Sequence, residues 1–323
     1  MYIVTGGAGL IGSACVWGLN QRGITDIIIV DNLAKSDKWK NLSGLQFTEY
    51  YEKDSFLKIL YDDCFQNVEA IIHMGACSST AEKDVHYLLK NNVEYTQHLA
   101  MWSQENNVRF IYASSSATYG DGKNGFSDSE QGLDKLRPLN AYGWSKQYFD
   151  KWANRRGIFT TACGLKFSNI YGPNEYHKGD MRSMVKRSYE QIIETGTVKL
   201  FKSYNDEYAD GEQMRDFLYV KDAVKAILHL IDNPEVSGLF NVGSGKAETW
   251  NSLVAAVFKA LNQKTSIEYV EMPESMRDSY QYYTKSDMSK LQATNFHDAP
   301  LSLEDAIQDY VLNYLLPNDH LGD

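Results

Sequence analysis

Gly6-Gly7-Ala8-Gly9-Leu10-Ile11-Gly12 follows the short apolar run Tyr2–Thr5 at the beginning of the chain. Its spacing is Gly-x-x-Gly-x-x-Gly, at the end of a predicted strand and the start of a predicted helix. Gly6, Gly9 and Gly12 would allow a tight turn, a close approach of the backbone to a pyrophosphate, and close packing of helix on strand. The helix N-terminus would offer free N–H groups and a positive dipole end to phosphates. The motif predicts a dinucleotide site.

Asp31 ends the second predicted strand, about twenty residues beyond the glycines, where a carboxylate would receive the ribose hydroxyls of a dinucleotide. This carboxylate favours NAD, because it would repel the 2′-phosphate of NADP. Asn32 follows it, and Lys38 and Lys53 are near enough in sequence for either lysine to pair with that phosphate. Both lysines could equally be solvated surface charges. The residues themselves leave NAD and NADP open.

Short β-branched runs alternate with longer amphipathic stretches through the first half of the chain. Continuous Ile/Val strands joined by helical crossovers imply a parallel sheet that is buried on both faces. The predicted strands are Tyr2–Thr5, Ile27–Val30, Gln46–Tyr50, Ala70–His73, Phe110–Ser114 and Ala162–Phe167. The predicted helices are Ile11–Arg22, Ser55–Asp62, Asp84–Asn106 and Ala141–Gly157. We therefore predict an α/β fold, a doubly wound parallel sheet of the Rossmann type with a smaller, mixed α/β substrate-binding lobe.

The second half of the chain is richer in Gly, Pro, Asn, Tyr and charged residues. Its polar stretch Lys202–Gln213 is typical of an exposed loop. Further elements are predicted at Phe217–Val220, Ala223–Ile231, Leu239–Val242 and Leu253–Leu261, before a Tyr- and Met-rich segment at Tyr269–Tyr283. We predict a dinucleotide-binding domain over 1–168, with returning segments near 214–247, and a substrate-binding lobe over 169–213 and 248–323.

The composition excludes several classes of protein. The 323 residues contain 32 Lys and Arg against 42 Asp and Glu, and the formal charge of −10 argues against nucleic-acid or anionic-membrane binding. No apolar run has the length of a membrane helix, and we expect no export signal, because Met1 runs directly into the first predicted strand. The four cysteines lack metal or redox spacing, so we expect free thiols, no metal and a cytoplasmic location. They are Cys15, Cys64, Cys77 and Cys163.

The segment Tyr142-Gly143-Trp144-Ser145-Lys146 places a phenol and an ammonium four residues apart, on one face of a predicted helix. A phenol titrates near 10, and a close lysine charge would lower that pKa. The pair could then act as general base toward a hydroxyl or as general acid toward a carbonyl. The fifth predicted strand ends in Ser114-Ser115-Ser116, at the sheet edge where ligands bind, and a hydroxyl there could donate to the same oxygen.

Together these motifs resemble the extended short-chain dehydrogenase/reductase superfamily of nucleotide-sugar enzymes. Three further stretches are similar to the ADP-L-glycero-D-manno-heptose 6-epimerase family: Gly75–Thr80, Asn169–Met181 and Arg215–Phe217. The similarity extends to about Thr284 and is most specific at His177-Lys178-Gly179. Such enzymes oxidise an alcohol carbon, present the opposite face and return the hydride, with no net redox change.

The resemblance implies the catalytic residues Tyr142, Lys178, Ser115 and Lys146. Ser115 would hydrogen-bond the reacting oxygen, and Lys178 would be a second acid/base whose pKa is lowered by burial. Ser115 and Ser116 stand where related dehydratases have an Asp-Glu pair, which argues against dehydration.

The resemblance also implies contacts for both ligands. The cofactor contacts, in addition to the glycines, are Leu10, Ile11, Asp31, Asn32, Lys38, Lys53, Met74, Gly75, Ala76, Cys77, Ser78, Asn91, Lys146 and Ile170. The substrate contacts are Asn169, Asp180, Arg187, Phe201, Lys202, Ser203, Tyr204, Arg215 and Tyr280. Arg215 would clamp a diphosphate. Four features depart from the family pattern: Met74 replaces an acidic residue, Arg187 a histidine, Asp180 a small residue, and the loop Lys202–Gln213 is longer than expected.

The expected activity is epimerisation at carbon six of an ADP-heptose for the lipopolysaccharide inner core, with NADP as cofactor and NAD as the other option. A homo-oligomer is expected, with a pentamer as one option. Two alternatives stay open: a 4-epimerase or 4-oxidase acting on another nucleotide sugar, and a dinucleotide-sensing regulator. Such a regulator would have no need of Ser115, Tyr142 and Lys146 together.

Overall fold

A parallel sheet forms the centre of the protein. The computed structural model describes residues 1–62, 65–277 and 280–323. The strands in this part of the chain are β1 (Tyr2–Thr5), β2 (Ile27–Asp31), β3 (Glu49–Glu52), β4 (Ala70–His73), β5 (Arg109–Ser115), β6 (Ala162–Phe167), β7 (Asn169–Tyr171), β8 (Val198–Phe201), β9 (Met214–Arg215), β10 (Phe217–Tyr219), β11 (Gly238–Val242), β12 (Glu248–Thr249) and β13 (Ile267–Val270). Seven of them form the main sheet in the order β11-β6-β5-β4-β1-β2-β3.

Helices cover this sheet and build the rest of the molecule. The α-helices of the described residues are α1 (Leu10–Asn20), α2 (Lys53–Ile59), α3 (Val85–Leu88), α4 (Tyr95–Glu105), α5 (Ala141–Arg155), α6 (Met184–Thr195), α7 (Val220–Asp232), α8 (Trp250–Ala260), α9 (Glu274–Arg277), α10 (Ser289–Gln292) and α11 (Leu303–Tyr310). Shorter 3-10 segments include Asp37–Leu42, Ser116–Tyr119, Glu130–Lys135 and Tyr176–Met181, and π-helical segments lie at Leu89–Glu94 and Val311–Leu315.

The sheet is buried on both faces, because alternate side chains of its strands enter two different cores. Val4, Ile29 and Ile111 pack on one face with α1 and α7. Ile3 and Ile28 pack on the other face with α2, α4 and α5. All pairings within the sheet are parallel. The predicted doubly wound α/β fold is confirmed.

Most predicted elements lie within a few residues of those observed. The predicted strand Gln46–Tyr50 is wrong at its beginning, since β3 starts at Glu49. The Asn20 side chain accepts from the backbone N–H of Gln46 and donates to its C=O, at 2.8 and 2.9 Å. These bonds replace the sheet partners that the strand pattern predicted.

A third core lies outside the main sheet, where α6, α8 and α11 pack around Val185, Val257 and Ile307. The sheet strand β11 and helix α7 come from the second half of the chain and pack with the first. We therefore propose the division into residues 1–168, with returning segments near 214–247, and a lobe of 169–213 and 248–323. Residues 202–213 form a loop as predicted, but Gln213 at its end is fully buried beneath the start of α8 and not exposed.

Gly12 allows α1 to lie directly against the turn at residues 6–9, called the glycine turn below. A Cβ atom there would overlap the carbonyl oxygen of Gly6, which is backbone and cannot give way. We predict that Gly12→Ala lowers the free energy of unfolding by about 1–3 kcal/mol, as overpacking does elsewhere. Urea denaturation followed by circular dichroism measures this.

Gly132→Ala is the matched control, since a Cβ at Gly132 would meet no atom within 4 Å. Equal stability of the two variants would contradict the close packing of α1 on the glycine turn.

Candidate active site

A cavity of about 980 Å³ opens at the carboxyl ends of the main-sheet strands. Its wall includes residues of the glycine turn, the end of β5, the start of α5, and the segments around α6 and α8. This is the edge at which ligands of open α/β sheets bind. The cavity therefore brings segments from both halves of the chain to one place.

The glycine turn forms one end of this cavity. Gly6 has φ of +66°, and a Cβ there would come 2.5 Å from the backbone nitrogen of Gly75. Gly9 is the N-cap of α1, and no side chain caps this helix end. Leu10 and Ile11 line the cavity beside it. Because no side chain caps them, the backbone N–H groups at this helix N-terminus could bind the phosphates of a dinucleotide.

Asp31, at the end of β2, is nearly buried beside the glycine turn. One carboxylate oxygen accepts from the Ala8 N–H at 2.9 Å. The other accepts from the Asn32 N–H at 2.6 Å and from the Lys38 ammonium at 2.5 Å. The ion pair with Lys38 offsets the negative charge of Asp31 at the cavity edge.

Tyr142, Lys146 and Ser115 meet at the start of α5. Burial lowers the pKa of Lys146 to about 8, and its Nζ donates to the Ala113 carbonyl at 2.8 Å. Burial raises the pKa of the Tyr142 phenol, whereas its hydrogen bond with Ser115 acts in the opposite direction. The sequence predicted that Lys146 would lower this pKa. That prediction is wrong for the structure, where burial is the largest influence on the phenol.

Asp150, one further turn along α5, lies in a fully buried network beneath these residues. Its carboxylate accepts from the hydroxyls of Tyr112 and Ser114, both at 2.7 Å, and from the Lys166 ammonium at 2.9 Å. Lys166 is also fully buried and donates to Thr118 at 2.6 Å. The network fastens α5 to β5 and β6, so it fixes Tyr142 relative to Ser115. Sequence reasoning missed Asp150, although its spacing of four residues from Lys146 was available as a signal.

Asn92 is a second residue that the sequence did not reveal. It lies in the π-helical segment between α3 and α4, where its side-chain oxygen accepts from the Cys77 N–H at 2.8 Å. Its Nδ2 donates to the Cys77 carbonyl and to the Ser145 hydroxyl, both at 3.0 Å. Asn92 therefore joins the loop after β4 to α5.

Lys178 lines the same cavity from a different element, the 3-10 segment Tyr176–Met181. Burial lowers its pKa, as the sequence predicted, and Glu175 opposes that effect. Glu175 is itself fully buried and accepts from the N–H and hydroxyl of Ser183 and from the Tyr310 hydroxyl. His177 also lines the cavity, and burial lowers its pKa to about 4, so it is neutral at pH 7.

Three aromatic side chains form part of the cavity wall: Phe217, Trp250 and Tyr280. The Trp250 indole N–H donates to the Tyr280 hydroxyl at 3.0 Å. The Arg215 guanidinium lies 5.7 Å from the Trp250 ring centre and 5.2 Å from that of Tyr280. Cation–π contacts with these two rings thus hold Arg215, which does not itself line the cavity.

The structure brings most of the predicted site residues to this cavity. Those in its wall are Gly6, Gly9, Leu10, Ile11, Gly12, Asp31, Lys38, Met74, Gly75, Ala76, Ser78, Ser115, Tyr142, Lys146, Asn169, Ile170, Lys178, Arg187, Phe201 and Tyr280. The other predicted residues lie outside the lining: Asn32, Lys53, Cys77, Asn91, Asp180, Lys202, Ser203, Tyr204 and Arg215.

Several of the residues outside the wall have partners elsewhere. Lys53 pairs with Asp54 at 2.9 Å, and Lys202 pairs with Glu271 at 2.7 Å on the surface. The wall also contains two basic residues that the sequence did not assign, Arg182 and Lys199.

Metal and membrane sites were not expected. Within residues 1–62, 65–277 and 280–323, no cluster of His, Cys, Asp and Glu could hold a metal ion. The helices of this same part of the chain are all too short or too polar to cross a membrane.

The chain is similar to known proteins over nearly its whole length. Residues 2–243 match the model of the NAD dependent epimerase/dehydratase family. The chain belongs to this family. The match includes the whole main sheet, and the last residues of the cavity wall follow it in sequence.

Individual members of this epimerase/dehydratase family are similar over nearly their full length. A protein of Nitratidesulfovibrio vulgaris (strain DP4) named ADP-L-glycero-D-manno-heptose-6-epimerase is 51% identical, over 99% of both chains. A protein of Fusobacterium nucleatum subsp. nucleatum with the same name is 46% identical, again over 99% of both chains. These relatives confirm the resemblance identified in the sequence.

Solved structures of the family agree with the fold. The crystal structure of the Helicobacter pylori ADP-L-glycero-D-manno-heptose-6-epimerase has a TM-score of 0.81 and 25% identity, over 97% of this chain and 95% of that one. The UDP-glucose 4-epimerase of Thermus thermophilus, solved with NAD, has a TM-score of 0.75 and 22% identity, over 96% and 97%. The second likeness concerns the fold alone.

The buried Asp150–Lys166 pair gives a stability prediction. Asp150→Asn leaves the Lys166 ammonium without its counter-charge in a fully buried position, so we expect the free energy of unfolding to fall by about 3–5 kcal/mol. Urea denaturation at pH 7 measures the loss.

Asp134→Asn serves as the control, because Asp134 pairs with Lys151 while remaining 77% exposed. Exposed pairs contribute little to stability, so this variant should unfold close to wild type. If Asp150→Asn unfolded at the same urea concentration as wild type, the buried pair would not stabilise the fold around the site.

Proposed function

We propose that the protein is an isomerase that inverts carbon six of ADP-D-glycero-D-manno-heptose and yields ADP-L-glycero-D-manno-heptose. The product would serve lipopolysaccharide inner-core synthesis. The names of its near-full-length relatives support this substrate. The observation that carries the proposal is that two proton-transferring groups, Tyr142 and Lys178, line one cavity from different structural elements. An inversion needs one such group on each side of the reacting carbon.

A nicotinamide dinucleotide fits the residues around the glycine turn. A side chain at Gly6 or Gly12 would collide with backbone, while the helix end at Gly9 is left uncapped. Asp31 and Lys38 would hold the adenosine ribose. When bound, the dinucleotide would supply a hydride acceptor for oxidation of carbon six and a hydride donor for its reduction.

The protein would move the protons of both half-reactions. In the first, Tyr142 as phenolate would accept the proton of the substrate hydroxyl while the carbon is oxidised, and the Ser115 hydroxyl would hydrogen-bond the same oxygen. Of the interactions that shift the pKa of the Tyr142 phenol, the hydrogen bond with Ser115 is the one that lowers it and so favours the phenolate.

In the second half-reaction the carbonyl would present its other face. The Lys178 ammonium would then donate a proton to the oxygen as the carbon is reduced. The reverse direction would exchange the roles of Tyr142 and Lys178. Substrate and product have the same oxidation state, and the proton lost to one group is replaced by the other.

We infer that NADP is the preferred cofactor, with NAD as the alternative. The Lys38 ammonium pairs with Asp31 at 2.5 Å and so reduces the repulsion that the carboxylate would exert on a 2′-phosphate. This arrangement also leaves a cation at the cavity edge where that phosphate would lie.

We further propose that the protein acts in the cytoplasm as a homo-oligomer, with a pentamer as the option that the resemblance implies. Cys15, Cys77 and Cys163 are free thiols, which supports a reducing compartment, and Cys64 lies outside the described residues. Trp144 and Tyr148 lie 5.5 Å apart on α5 and expose aromatic surface that a second copy could cover.

The reaction itself is the first test of this function. We expect the wild-type protein to equilibrate the two carbon-six epimers of ADP-heptose, followed by NMR. Tyr142→Phe should lower kcat by at least about a hundredfold, because it removes a general acid/base, while cofactor binding is retained. Lys178→Met should give a similar loss.

Tyr148→Phe, on the exposed side of the same helix, is the control and should keep wild-type turnover. Turnover of UDP-hexoses but not of ADP-heptose by the wild-type protein would replace the proposed substrate. Unchanged turnover by Tyr142→Phe would remove that residue from the mechanism.

Cofactor preference gives a second test. Lys38→Met removes the cation beside Asp31, so we expect the Kd for NADP to rise about tenfold or more, as for the loss of a charged hydrogen bond. Binding of NAD should change less, since the freed carboxylate can accept from a ribose hydroxyl. Fluorescence titration with each dinucleotide measures both values.

Lys40→Met is the matched control, because Lys40 belongs to the same 3-10 segment but pairs with Asp37 on the surface at 3.1 Å. A Lys38→Met protein whose NADP affinity equals that of Lys40→Met would contradict the inference.

A further inference from the structure

The C-terminal turn, residues 319–323, folds back against the core instead of extending into solvent. Leu321 is fully buried in the core of the main sheet, although residues 316–319 before it and 322–323 after it are exposed. The turn is closed by bonds between His320 and Asp323, with the His320 N–H donating to the Asp323 carboxylate at 2.8 Å. A single buried side chain therefore anchors this turn.

The turn bonds directly to the segment that leads to Lys178. The Leu321 N–H donates to the side-chain oxygen of Asn174 at 3.0 Å. Asn174 is fully buried and has φ of +75°, a conformation that only a few residue types adopt readily. Its Nδ2 donates to the Ser13 hydroxyl of α1 at 2.9 Å. Asn174 is thus held between the C-terminal turn and the helix of the glycine motif.

A second contact lies two residues further along this segment. The Tyr176 hydroxyl donates to the Asp319 carbonyl at 2.8 Å, and its ring meets the His320 ring edge to face at 4.9 Å. The next two residues in sequence are His177 and Lys178, which line the cavity. Neither Tyr176 nor Asn174 is in the cavity wall, so these contacts act from behind it.

The turn also contacts the cofactor side of the cavity. A Cβ atom at Gly44 would come 2.6 Å from the carbonyl carbon of Gly322, so the two backbones are in direct contact. Gly44 follows the 3-10 segment Asp37–Leu42, which carries Lys38 and Asn41. Asn41 Nδ2 in turn donates to the carbonyls of Ala8 and Asn174 at 2.8 and 2.9 Å. One short turn therefore joins the elements on both sides of the cavity.

We propose that the C-terminal turn, residues 319–323, is a positioning element that holds the Asn174–Lys178 segment in place, and that turnover at the site proposed above depends on it. The inference rests on the proposed function for its kinetic consequence only. None of the residues of the turn would touch substrate or cofactor. Their effect would pass through the backbone of the segment to the ammonium of Lys178.

The direct test is a chain that ends at Asn318. Hydrogen exchange of the peptide covering residues 172–183 should become faster than in wild type, because its two hydrogen bonds with the turn are gone. With ADP-heptose, kcat should fall about tenfold to a hundredfold, the loss typical of a slightly misplaced catalytic group, and KM should change less than kcat. The limb of the pH–rate profile that tracks Lys178 should move to higher pH, since the ammonium becomes better solvated.

Point variants keep the test valid if the shortened chain does not fold. Leu321→Ala should reproduce the faster exchange and the loss of kcat, and Leu321→Met, which keeps most of the buried volume, should restore both. Tyr176→Phe, which breaks the bond to Asp319, should lower kcat several-fold. Tyr189→Phe is its control, because the Tyr189 hydroxyl bonds the Leu315 carbonyl at 3.1 Å but does not contact the turn.

The outcomes separate this inference from the proposed function. Unchanged exchange in residues 172–183, or faster exchange with unchanged kcat, overturns the role of the turn. Absence of epimerisation by the wild-type protein overturns the proposed function, and the exchange measurement then still decides whether the turn holds the segment. Equal losses of kcat in Tyr176→Phe and Tyr189→Phe would mean that the turn contributes only to general stability, and would overturn its positioning role.

Discussion

The arrangement of the site depends on the hydrogen bonds and the ion pair of the fully buried Asp150 carboxylate. It accepts hydrogen bonds from β5 and from Lys166 of β6 while belonging to α5 itself. A buried charge is costly unless it is paired and hydrogen-bonded, so this position tolerates little variation in the distance between helix and sheet. Tyr142 and Lys146 precede Asp150 by two turns and one turn of the same helix. Their place above the end of β5 follows from that constraint.

A second buried carboxylate, that of Glu175, holds the segment that carries Lys178. Glu175 is fully buried and accepts three hydrogen bonds from two residues, Ser183 before α6 and Tyr310 of α11. The segment that carries Lys178 is therefore held at Glu175 by hydrogen bonds to a carboxylate, as α5 is held at Asp150. Tyr142 and Lys178, the two proposed acid/base groups, would need such fixed supports, because neither lies on the regular sheet.

The sequence predicted the sheet well, because its signals are local. Ile27–Val30 and Ala70–His73 are uninterrupted apolar runs, and the glycine turn has a spacing that few other structures require. The sequence did not predict the contacts that hold the site residues in place, because these contacts join positions far apart in the chain. Nothing in the neighbourhood of Asn174 indicates that its partner is Leu321. The start of β3 was misplaced for a similar reason, since a side chain from α1 replaces the sheet partners of Gln46.

The net charge of −10 raises the question of how such a protein would hold two polyphosphate ligands. The distribution of charge in the cavity answers it. Among the described residues of the wall, six are basic and three acidic: Lys38, Lys146, Lys178, Arg182, Arg187 and Lys199 against Asp31, Glu190 and Glu194. Two of the three acids are already paired, Asp31 with Lys38 and Glu190 with Arg182. The lining of the cavity therefore carries a net positive charge, opposite in sign to that of the whole molecule, and enclosure strengthens the effect of that charge. An anionic ligand is attracted there, while the acidic exterior continues to repel larger polyanions.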